Sequence, residues 1–323
     1  MLSWPDFKEK QLVFCFCVEG QKLIFHNDNL LIKNKEDVVV LQITCYKIFA
    51  LFVIGSTSIT TGILERSKKF RFPIVFMSYS FRITGVWTTG VEGNYLLHQK
   101  QYSYSELEIA KHIVCNKIQN QAALLKMIRG KNSVEQEAVL YLDKYCEQIK
   151  TITSADSLLG CEGLASRVYF KAWFGEQWQI RRPRTKCDII NACLDIGYTI
   201  LFNLMDAMLS IYGFDLYKGV YHCEFYQRKS LVCDFVEPFR VIIDKTLKKA
   251  LNIGQIKTEH FKYKDHKYLL LPEYSRDYSR IFVKALLKYK EDIFLFTQKY
   301  YRAFMQSKPI EEYPVFLLEE EDD

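Results

Sequence analysis

The pattern of apolar residues in this chain of 323 residues changes near Gly93. Before that point, apolar residues gather in short runs rich in Val, Ile and Phe, a pattern typical of β-strands. After it, they recur with the period of an α-helix over much longer stretches. The length favours two packed domains over one. We therefore predict a multi-domain α+β protein, with a β-rich sheet domain over residues 1–92 and an all-α helical domain over residues 93–306.

One helix is predicted to interrupt the strands of the first domain. It covers residues 57–70, and its basic end at Lys68 and Lys69 complements the helix dipole. The predicted strands are residues 11–18, 22–25, 29–33, 38–42, 48–54, 74–79 and 81–87. We expect a small sheet with this helix packed on it.

Three helices of the second domain have recognisable starts. Two capping boxes are predicted, Ser105 with Glu108 and Ser133 with Gln136. Thr185 is placed to cap a third helix that ends at Tyr212, and Gly213 stands where a left-handed residue closes a helix. The third helix is apolar on nearly every face, but polar residues interrupt it, which favours a core helix over a membrane span.

Basic residues outnumber acidic residues over most of the chain. Residues 307–323 carry seven acids and one lysine, so the rest of the chain has a net charge of +12. A basic body suits a polyanion such as DNA, because Lys and Arg release counterions when they bind phosphates. A merely soluble surface is the alternative. Residues 307–323 contain two prolines and are predicted to form a flexible acidic tail.

The ten cysteines do not indicate a zinc site, because none forms Cys-x-x-Cys and none has zinc-finger spacing with histidine. Most are expected to be small buried hydrophobic residues. The N-terminus lacks an apolar signal core, and no long uncharged apolar stretch is present. We therefore predict a cytoplasmic protein that does not bind a membrane.

Four residues could carry metal chemistry. Asp234 and Glu237 share a helical face, and two such carboxylates repel each other unless a cation or protons come between them. With Glu162 and His222 they form an oxygen-rich set with one imidazole, which suits Mg²⁺ or Mn²⁺ rather than zinc. Such a metal would polarise a phosphodiester. The alternatives are surface carboxylates and a structural histidine.

Two strips of side chains are predicted to contact DNA. The first, at a helix entry, suits phosphate and consists of Arg181, Arg182, Arg184 and Lys186. The second mixes phosphate binders with stacking rings and consists of Gln99, Lys100 and Gln101 beside Tyr95, Tyr102 and Tyr104. Arg167 and Arg240 complete the predicted DNA-binding set. A solvated basic face is the alternative for each strip.

Three segments, taken in order, resemble the CRISPR-associated integrase family that acts in adaptation. They are Gly160-Cys161-Glu162-Gly163-Leu164-Ala165 running into Tyr169-Phe170; Arg182-Pro183 through Asp188, Asn191-Ala192 and Gly197-Tyr198; and His222 with Ser230-Leu231 and Asp234-Phe235-Val236-Glu237-Pro238-Phe239-Arg240. The resemblance implies that Glu162, His222 and Glu237 bind the catalytic metal, with Asp234 as a supporting acid.

The resemblance also implies partners and a reaction. The partners are a second copy of the chain, a small second Cas adaptation protein, an accessory Cas nuclease, and double-stranded DNA as protospacer and CRISPR repeat. In the family reaction, the 3′-hydroxyl of a protospacer attacks a phosphodiester at the edge of a repeat. Two alternatives stay open: a metal-dependent nuclease that only cuts DNA, and a DNA-binding scaffold without catalysis.

Overall fold

Short strands and one helix make up the N-terminal part of the computed structural model, which describes residues 9–17, 21–57, 59–78, 83–87 and 94–319. The strands are β1 (Gln11–Cys17), β2 (Lys22–His26), β3 (Asn29–Lys33), β4 (Val39–Thr44), β5 (Ile48–Gly55), β6 (Ile74–Met77) and β7 (Ile83–Trp87), and the helix is α1 (Thr61–Phe70). One sheet has the order β1-β5-β6-β7, in which only β7 is antiparallel to its neighbour. The other is the antiparallel sheet β2-β3-β4.

Strand β5 lies at the centre of the N-terminal part and is buried on both faces. This explains its unbroken apolar sequence, which is typical of a strand with parallel neighbours on both sides. Phe49 and Phe52 pack into the core that the helical part also builds, whereas Leu51 and Val53 pack into a smaller core with Ile63 of α1. The sheet that contains β5 therefore packs directly against the helices.

The predicted order of a β-rich part and a helical part is confirmed, with corrections at the element ends. Helix α1 begins at Thr61 rather than at residue 57, because the backbone of Thr60 is extended. Strand β4 begins and ends later than predicted, and β6 ends at Met77. The predicted strand ends at residues 18, 79, 81 and 82 lie outside the described residues.

Helices dominate the chain after residue 94. They are α2 (Tyr95–Ser103), α3 (Glu108–Lys126), α4 (Ser133–Thr151), α5 (Ala155–Phe174), α6 (Ile189–Tyr212), α7 (Ser230–Val236), α8 (Arg240–Asn252), α9 (Ser275–Lys288) and α10 (Lys290–Met305). The prediction of an all-α domain is wrong in one respect, because β8 (Phe261–Lys264) and β9 (Lys267–Leu270) form an antiparallel hairpin. Strand β8 alternates aromatic residues with lysine and β9 contains a short apolar run, but Phe261 is the one residue of the two strands that is buried.

Helix α6 is the core of the helical part. In the described ranges it alone has the length and apolar composition of a membrane span, yet 72% of its most apolar window is buried inside the protein. Gly197 lies where α6 meets α8 and α9, and a Cβ atom there would stand 2.4 Å from Ile243 and 3.1 Å from Phe282. The three helices can approach this closely only because residue 197 has no side chain.

Both predicted capping boxes are wrong. Helix α3 begins at Glu108 after Leu107, which provides no side-chain cap, so Ser105 lies outside the helix. Helix α4 does have a capping box, one residue earlier than predicted. Asn132 accepts a hydrogen bond from the Glu135 amide at 3.0 Å, and the Glu135 carboxylate accepts one from the Asn132 amide at 2.7 Å. Asparagine caps as well as serine does, so a pair of adjacent polar residues leaves the register open.

The cap predicted at Thr185 is also wrong. Asp188 caps α6 by accepting a hydrogen bond from the Asn191 amide at 2.6 Å, whereas the Thr185 hydroxyl donates to the Arg182 carbonyl at 2.8 Å. The predicted end of the helix is confirmed, because Gly213 is left-handed with φ of 75°.

The acidic C-terminal segment is docked, which contradicts the predicted flexible tail for residues 307–319. Phe316 and Leu318 are buried against the helices. Asn116 of α3 accepts from the Phe316 amide at 3.0 Å and donates to its carbonyl at 2.7 Å, and Asn120 accepts from the Leu318 amide at 2.8 Å. The apolar residues between the acids therefore bind the chain's own helix α3. Residues 320–323 lie outside the described ranges.

Candidate functional site

Two of the predicted metal ligands meet at a lysine. Glu162 lies on α5, Glu237 lies in the short 3₁₀ turn Glu237–Phe239 that follows α7, and Lys117 lies on α3. The Lys117 ammonium contacts Glu162 Oε1 and lies 2.7 Å from Glu237 Oε2. Two carboxylates far apart in the sequence thus share one positive charge, although Lys117 itself is only 4% exposed.

The charges of this cluster are mutually stabilised. Burial alone would lower the pKa of Lys117, but the Glu162 and Glu237 carboxylates beside it raise that pKa above its usual value. Burial would likewise raise the pKa of Glu162, but Lys117, a hydrogen bond from Ser166 at 3.0 Å and the Arg240 guanidinium bring it down to about 2. Glu162 and Lys117 are therefore both charged at neutral pH.

Glu237 is almost completely buried and lies against two cations and an imidazole. Arg240 lies 2.8 Å from its Oε1 atom, and His222 Nε2 lies 3.8 Å from the same oxygen. Its Oε2 atom has the ion pair with Lys117 but accepts no hydrogen bond from the described residues. One oxygen of Glu237 therefore keeps unused capacity to accept or to coordinate.

Asp234 orients His222 rather than facing the shared charge. Its Oδ1 atom accepts hydrogen bonds from the His222 amide at 2.9 Å and from His222 Nδ1 at 2.7 Å. Its Oδ2 atom accepts from the amides of Val220 and Tyr221 at 2.7 and 3.2 Å. Both oxygens of Asp234 are therefore committed to His222 and to the loop before it. A proton on Nδ1 leaves His222 Nε2 as the lone-pair nitrogen.

The loop before His222 is shaped around Asp234. A Cβ atom at Gly219 would stand 2.8 Å from Asp234 Oδ2 and 2.9 Å from the Cβ of Ser230. A residue with a side chain would therefore push the carboxylate away from the loop amides that it binds. Gly219 thus lets the backbone approach the carboxylate that fixes the imidazole.

A second buried carboxylate lies behind the cluster. Asp244 accepts hydrogen bonds from Tyr198 at 2.6 Å and Tyr169 at 2.9 Å. Burial raises its pKa to about 6, although the two tyrosine hydroxyls act in the opposite direction. The Tyr198 ring also contacts Arg181 and Arg240, whose guanidinium carbons lie 5.4 and 5.1 Å from its centre. Tyr198 therefore links Asp244 to the arginine that binds Glu237.

Glu162, Glu237 and His222 are donors of the type that a divalent metal prefers, but they do not converge on one point in this structure. Across the described ranges, no three His, Cys, Asp or Glu side chains converge closely enough to hold a metal. Two carboxylates nevertheless meet at one ammonium group, one of their oxygens lacks a hydrogen bond, and Asp234 fixes the nearby imidazole through its other nitrogen. Such a set matches the preference of Mg²⁺ or Mn²⁺ for oxygen donors. A bound metal would have to take over the position of the Lys117 ammonium.

The first predicted DNA strip divides into buried and exposed side chains. Arg181 does not match the prediction, because its guanidinium is held by Asn191 at 2.8 Å and Asp195 at 2.7 Å. Arg182 and Arg184 bind the same two side chains only through their amides, at 3.0 and 2.9 Å, and their side chains are exposed. Arg181 therefore holds the loop in place, and its neighbours face solvent.

The remaining predicted DNA contacts differ in availability. The Lys100 ammonium is bound by the Met305 carbonyl at 3.1 Å, and the exposed Tyr102 ring donates its hydroxyl to Asp215 at 2.6 Å. Arg240 belongs to the carboxylate cluster, because it binds Glu237. Gln99 and Arg167 are exposed and available.

Sequence reasoning missed Lys117, although a signal for it was present. Lys117 follows Val114 by three positions and precedes Gln121 by four, so all three lie on the same buried face of α3. A lysine on such a face is seldom buried without a partner, so its position indicates a paired acid. Local sequence does not show which acid that is.

Comparison with known proteins adds to this geometry. The family model described as CRISPR associated protein Cas1 matches residues 16–284. A Cas4 exonuclease/Cas1 endonuclease fusion from Rhodospirillum rubrum is 33% identical over 231 residues, which is 65% of this chain and 39% of the fusion. A Cas1 endonuclease from Thermodesulfovibrio yellowstonii is 32% identical over 219 residues, which is 62% of this chain and 69% of that relative.

A solved structure agrees over nearly the whole chain. One chain of a partial Cas6-RT-Cas1–Cas2 complex superposes with a TM-score of 0.71 and 26% identity, over 95% of this chain and 99% of that one. The shared fold includes the N-terminal sheets and the helical part that carries the carboxylate cluster. Because the family model covers most of its length and the fold agrees, this chain belongs to the Cas1 family of CRISPR-associated proteins.

Proposed function

We propose that this protein is a metal-dependent DNA endonuclease and integrase that inserts new spacers into a CRISPR array. The observation that carries the proposal is the meeting of Glu162 and Glu237 around one positive charge, with His222 Nε2 3.8 Å from Glu237. A site that neutralises a phosphodiester under attack needs acids gathered for a divalent cation and cations for the phosphate. Lys117 and Arg240 are committed to the two acids, so the exposed Arg182 and Arg184 are the cations available to the phosphate.

Glu162, Glu237 and His222 would hold Mg²⁺ or Mn²⁺. When bound, this metal would polarise the phosphodiester and stabilise negative charge on its oxygens. Asp234 keeps the His222 proton on Nδ1, so that Nε2 can coordinate. Arg240 holds Glu237 Oε1 in place. The nucleophile is the 3′-hydroxyl of the incoming DNA, so the protein contributes position and charge rather than a covalent intermediate.

Partners follow from the relatives and from one exposed strand. The similar structure comes from a complex that contains Cas2, which supports a small second adaptation protein as partner. The fused Cas4 exonuclease of the first relative supports an accessory nuclease. Val39, Val40 and Leu41 are exposed on β4, at the edge of its sheet, and an apolar edge strand suits pairing with a second copy of the chain. We propose a homodimer through residues 1–92.

A strand-transfer assay tests the proposal. The protein and its small partner are incubated in Mn²⁺ with labelled duplex DNA bearing free 3′ ends and a plasmid that carries a repeat. We expect labelled DNA joined to the plasmid, and loss of this product in Glu162→Gln and in His222→Ala while DNA binding persists. Glu147→Gln is the control, since Glu147 is exposed and pairs only with Lys150 in the described structure.

The outcomes separate the three functions. Joined products support integration, whereas cut fragments without joined products would favour the nuclease that only hydrolyses. Full activity in Glu162→Gln would exclude the proposed active site. DNA binding without any metal-dependent product would favour the DNA-binding scaffold without catalysis.

A further inference from the structure

A basic hairpin projects beside the arginine loop of residues 181–186. Strands β8 and β9 are joined by Asp265 and His266, whose φ values of 50° and 58° give a tight two-residue turn of the kind that matches strand twist. The side chains of Lys262, Lys264 and Lys267 are exposed, and none forms an ion pair with any residue that the structure describes. The hairpin therefore presents three uncompensated positive charges.

The hairpin and the arginine loop form one surface. The Tyr268 amide of β9 donates to the Lys186 carbonyl at 2.9 Å, which extends the hairpin pairing to the loop. Arg184 and Lys186 have left-handed backbones, with φ of 64° and 53°, a conformation that residues with side chains rarely adopt. Asn191 and Asp195 hold this loop in place. Strain that the surroundings enforce in this way clusters at functional positions.

Charge on this surface is strongly one-sided. The acids in the hairpin segment are Asp265 in the turn and Glu259, and Glu259 pairs with Lys257 at 3.5 Å. Lys262, Lys264, Lys267, Arg182 and Arg184 project from the two segments without such partners. Exposed cations on a rigid two-stranded ribbon suit duplex DNA, because such a ribbon fits the major groove while its lysines reach phosphates on either side.

The surface adjoins the carboxylate cluster. Arg181, which anchors the loop, and Arg240, which binds Glu237, contact the same Tyr198 ring. Tyr198 therefore connects the loop to the arginine that binds Glu237. The exposed rings of the hairpin, Tyr263 and His266, contact each other at the turn, whereas three lysines are spread along the two strands, so an uninterrupted duplex suits the surface better than a single-stranded end.

We propose that the hairpin β8–β9 and the loop 181–186 bind the phosphate backbone of the uninterrupted target duplex, next to the phosphodiester that is attacked. This assignment rests on the proposed function for the identity of the target, but its binding test does not depend on the chemistry. The contacts are to phosphates and are independent of sequence.

The test measures duplex binding of full-length protein in EDTA over a range of salt concentrations by fluorescence anisotropy. The variant Lys262→Ala/Lys264→Ala/Lys267→Ala should lower the slope of log Kd against log salt by about 2 to 3, since each phosphate contact contributes roughly 0.9. The matched control replaces three exposed lysines elsewhere in the helical part, Lys144, Lys171 and Lys299, and should keep the wild-type slope. Replacing the hairpin lysines by arginine should also keep it.

Two probes identify the DNA that binds. One is a continuous duplex with the repeat, and the other is a short duplex with single-stranded 3′ ends. We expect the alanine variant to lose about tenfold or more in affinity for the continuous duplex and less for the short one. An unchanged salt slope, or a larger loss with the short duplex, would overturn the assignment. Loss of strand transfer in Glu162→Gln with normal salt dependence would test the chemistry separately.

Discussion

Replacing Lys117 by methionine keeps the length of the side chain and removes the charge that Glu162 and Glu237 share. In metal-free buffer at pH 7.5, the two buried carboxylates would then repel each other, with Arg240 as the remaining cation in contact with Glu237. Removing one partner of a buried ion pair is costly because the other charge stays desolvated.

The expected size follows from the pKa of Glu162. The folded protein lowers this pKa from 4.5 to about 2, and Lys117 is the largest of the favourable influences. A shift of this size corresponds to about 3 kcal/mol, at roughly 1.4 kcal/mol for each pKa unit. Broken buried ion pairs cost about 3–5 kcal/mol in general. We therefore expect Lys117→Met to lower the free energy of unfolding by about 3 kcal/mol.

Urea unfolding in EDTA measures this loss, with Lys126→Met as the control. Lys126 lies on the same helix and pairs with Asp143, but both side chains are 54% exposed, so its removal should cost less than about 1 kcal/mol. Because the pKa of Glu162 is depressed, its contribution is present above pH 4.5 and is lost as the pH falls toward 2. The difference between wild type and Lys117→Met should therefore shrink in acid.

Added Mn²⁺ should raise the unfolding midpoint more in Lys117→Met than in the wild type, because the metal would supply the missing positive charge. The reasoning is refuted if Lys117→Met is as stable as the Lys126 control at pH 7.5, or if its loss of stability is the same at pH 3.

Three further predictions test neighbouring features. Burial raises the pKa of Asp244 from 3.8 to about 6. Its contribution to stability is therefore complete below pH 3.8 and falls by about 3 kcal/mol as the pH rises through 6. Urea unfolding between pH 4 and 8 should show this decline in the wild type and not in Asp244→Asn. Asp234→Asn should weaken Mn²⁺ binding by about 10- to 100-fold in calorimetry, because His222 loses the acceptor that fixes its tautomer, and unchanged affinity would exclude this role. Phe316→Ala should cost about 3–5 kcal/mol, whereas Leu317→Ala, at a position 63% exposed, should cost little, and equal effects in thermal unfolding would contradict the docked segment.

Local periodicity was sufficient to predict the order of sheet and helices, but not the partners of polar side chains. The unbroken apolar run of β5 and the long helical patterns after residue 94 are each visible within a few turns or one strand. The cap at Asn132 was missed because the polar residue next to it satisfies the same rule. Arg181 was predicted to face DNA because the sequence does not show that the loop folds back on α6. That fold brings the Arg181 guanidinium to Asp195.

The acids and the imidazole of the candidate site were predicted, through the resemblance of three segments. The lysine that joins the acids was not predicted. Lys117 comes from α3, outside all three segments, and only the packing of α3 against α5 brings it to Glu162. The docked residues 313–318 were missed for a similar reason. Their acidic flanks suggest solvent, whereas the asparagines that bind them lie about 200 positions earlier.

The contact at Gly197 makes the geometry of the cluster depend on a residue that takes no part in it. Helix α8 carries both Ile243, which touches Gly197, and Arg240, which grips Glu237. A single added methyl group at position 197 would push α6 and α8 apart. The Arg240 guanidinium would then move together with α8. Two copies of this protein that differ only by that methyl could therefore fold alike and yet hold their acids at different spacings.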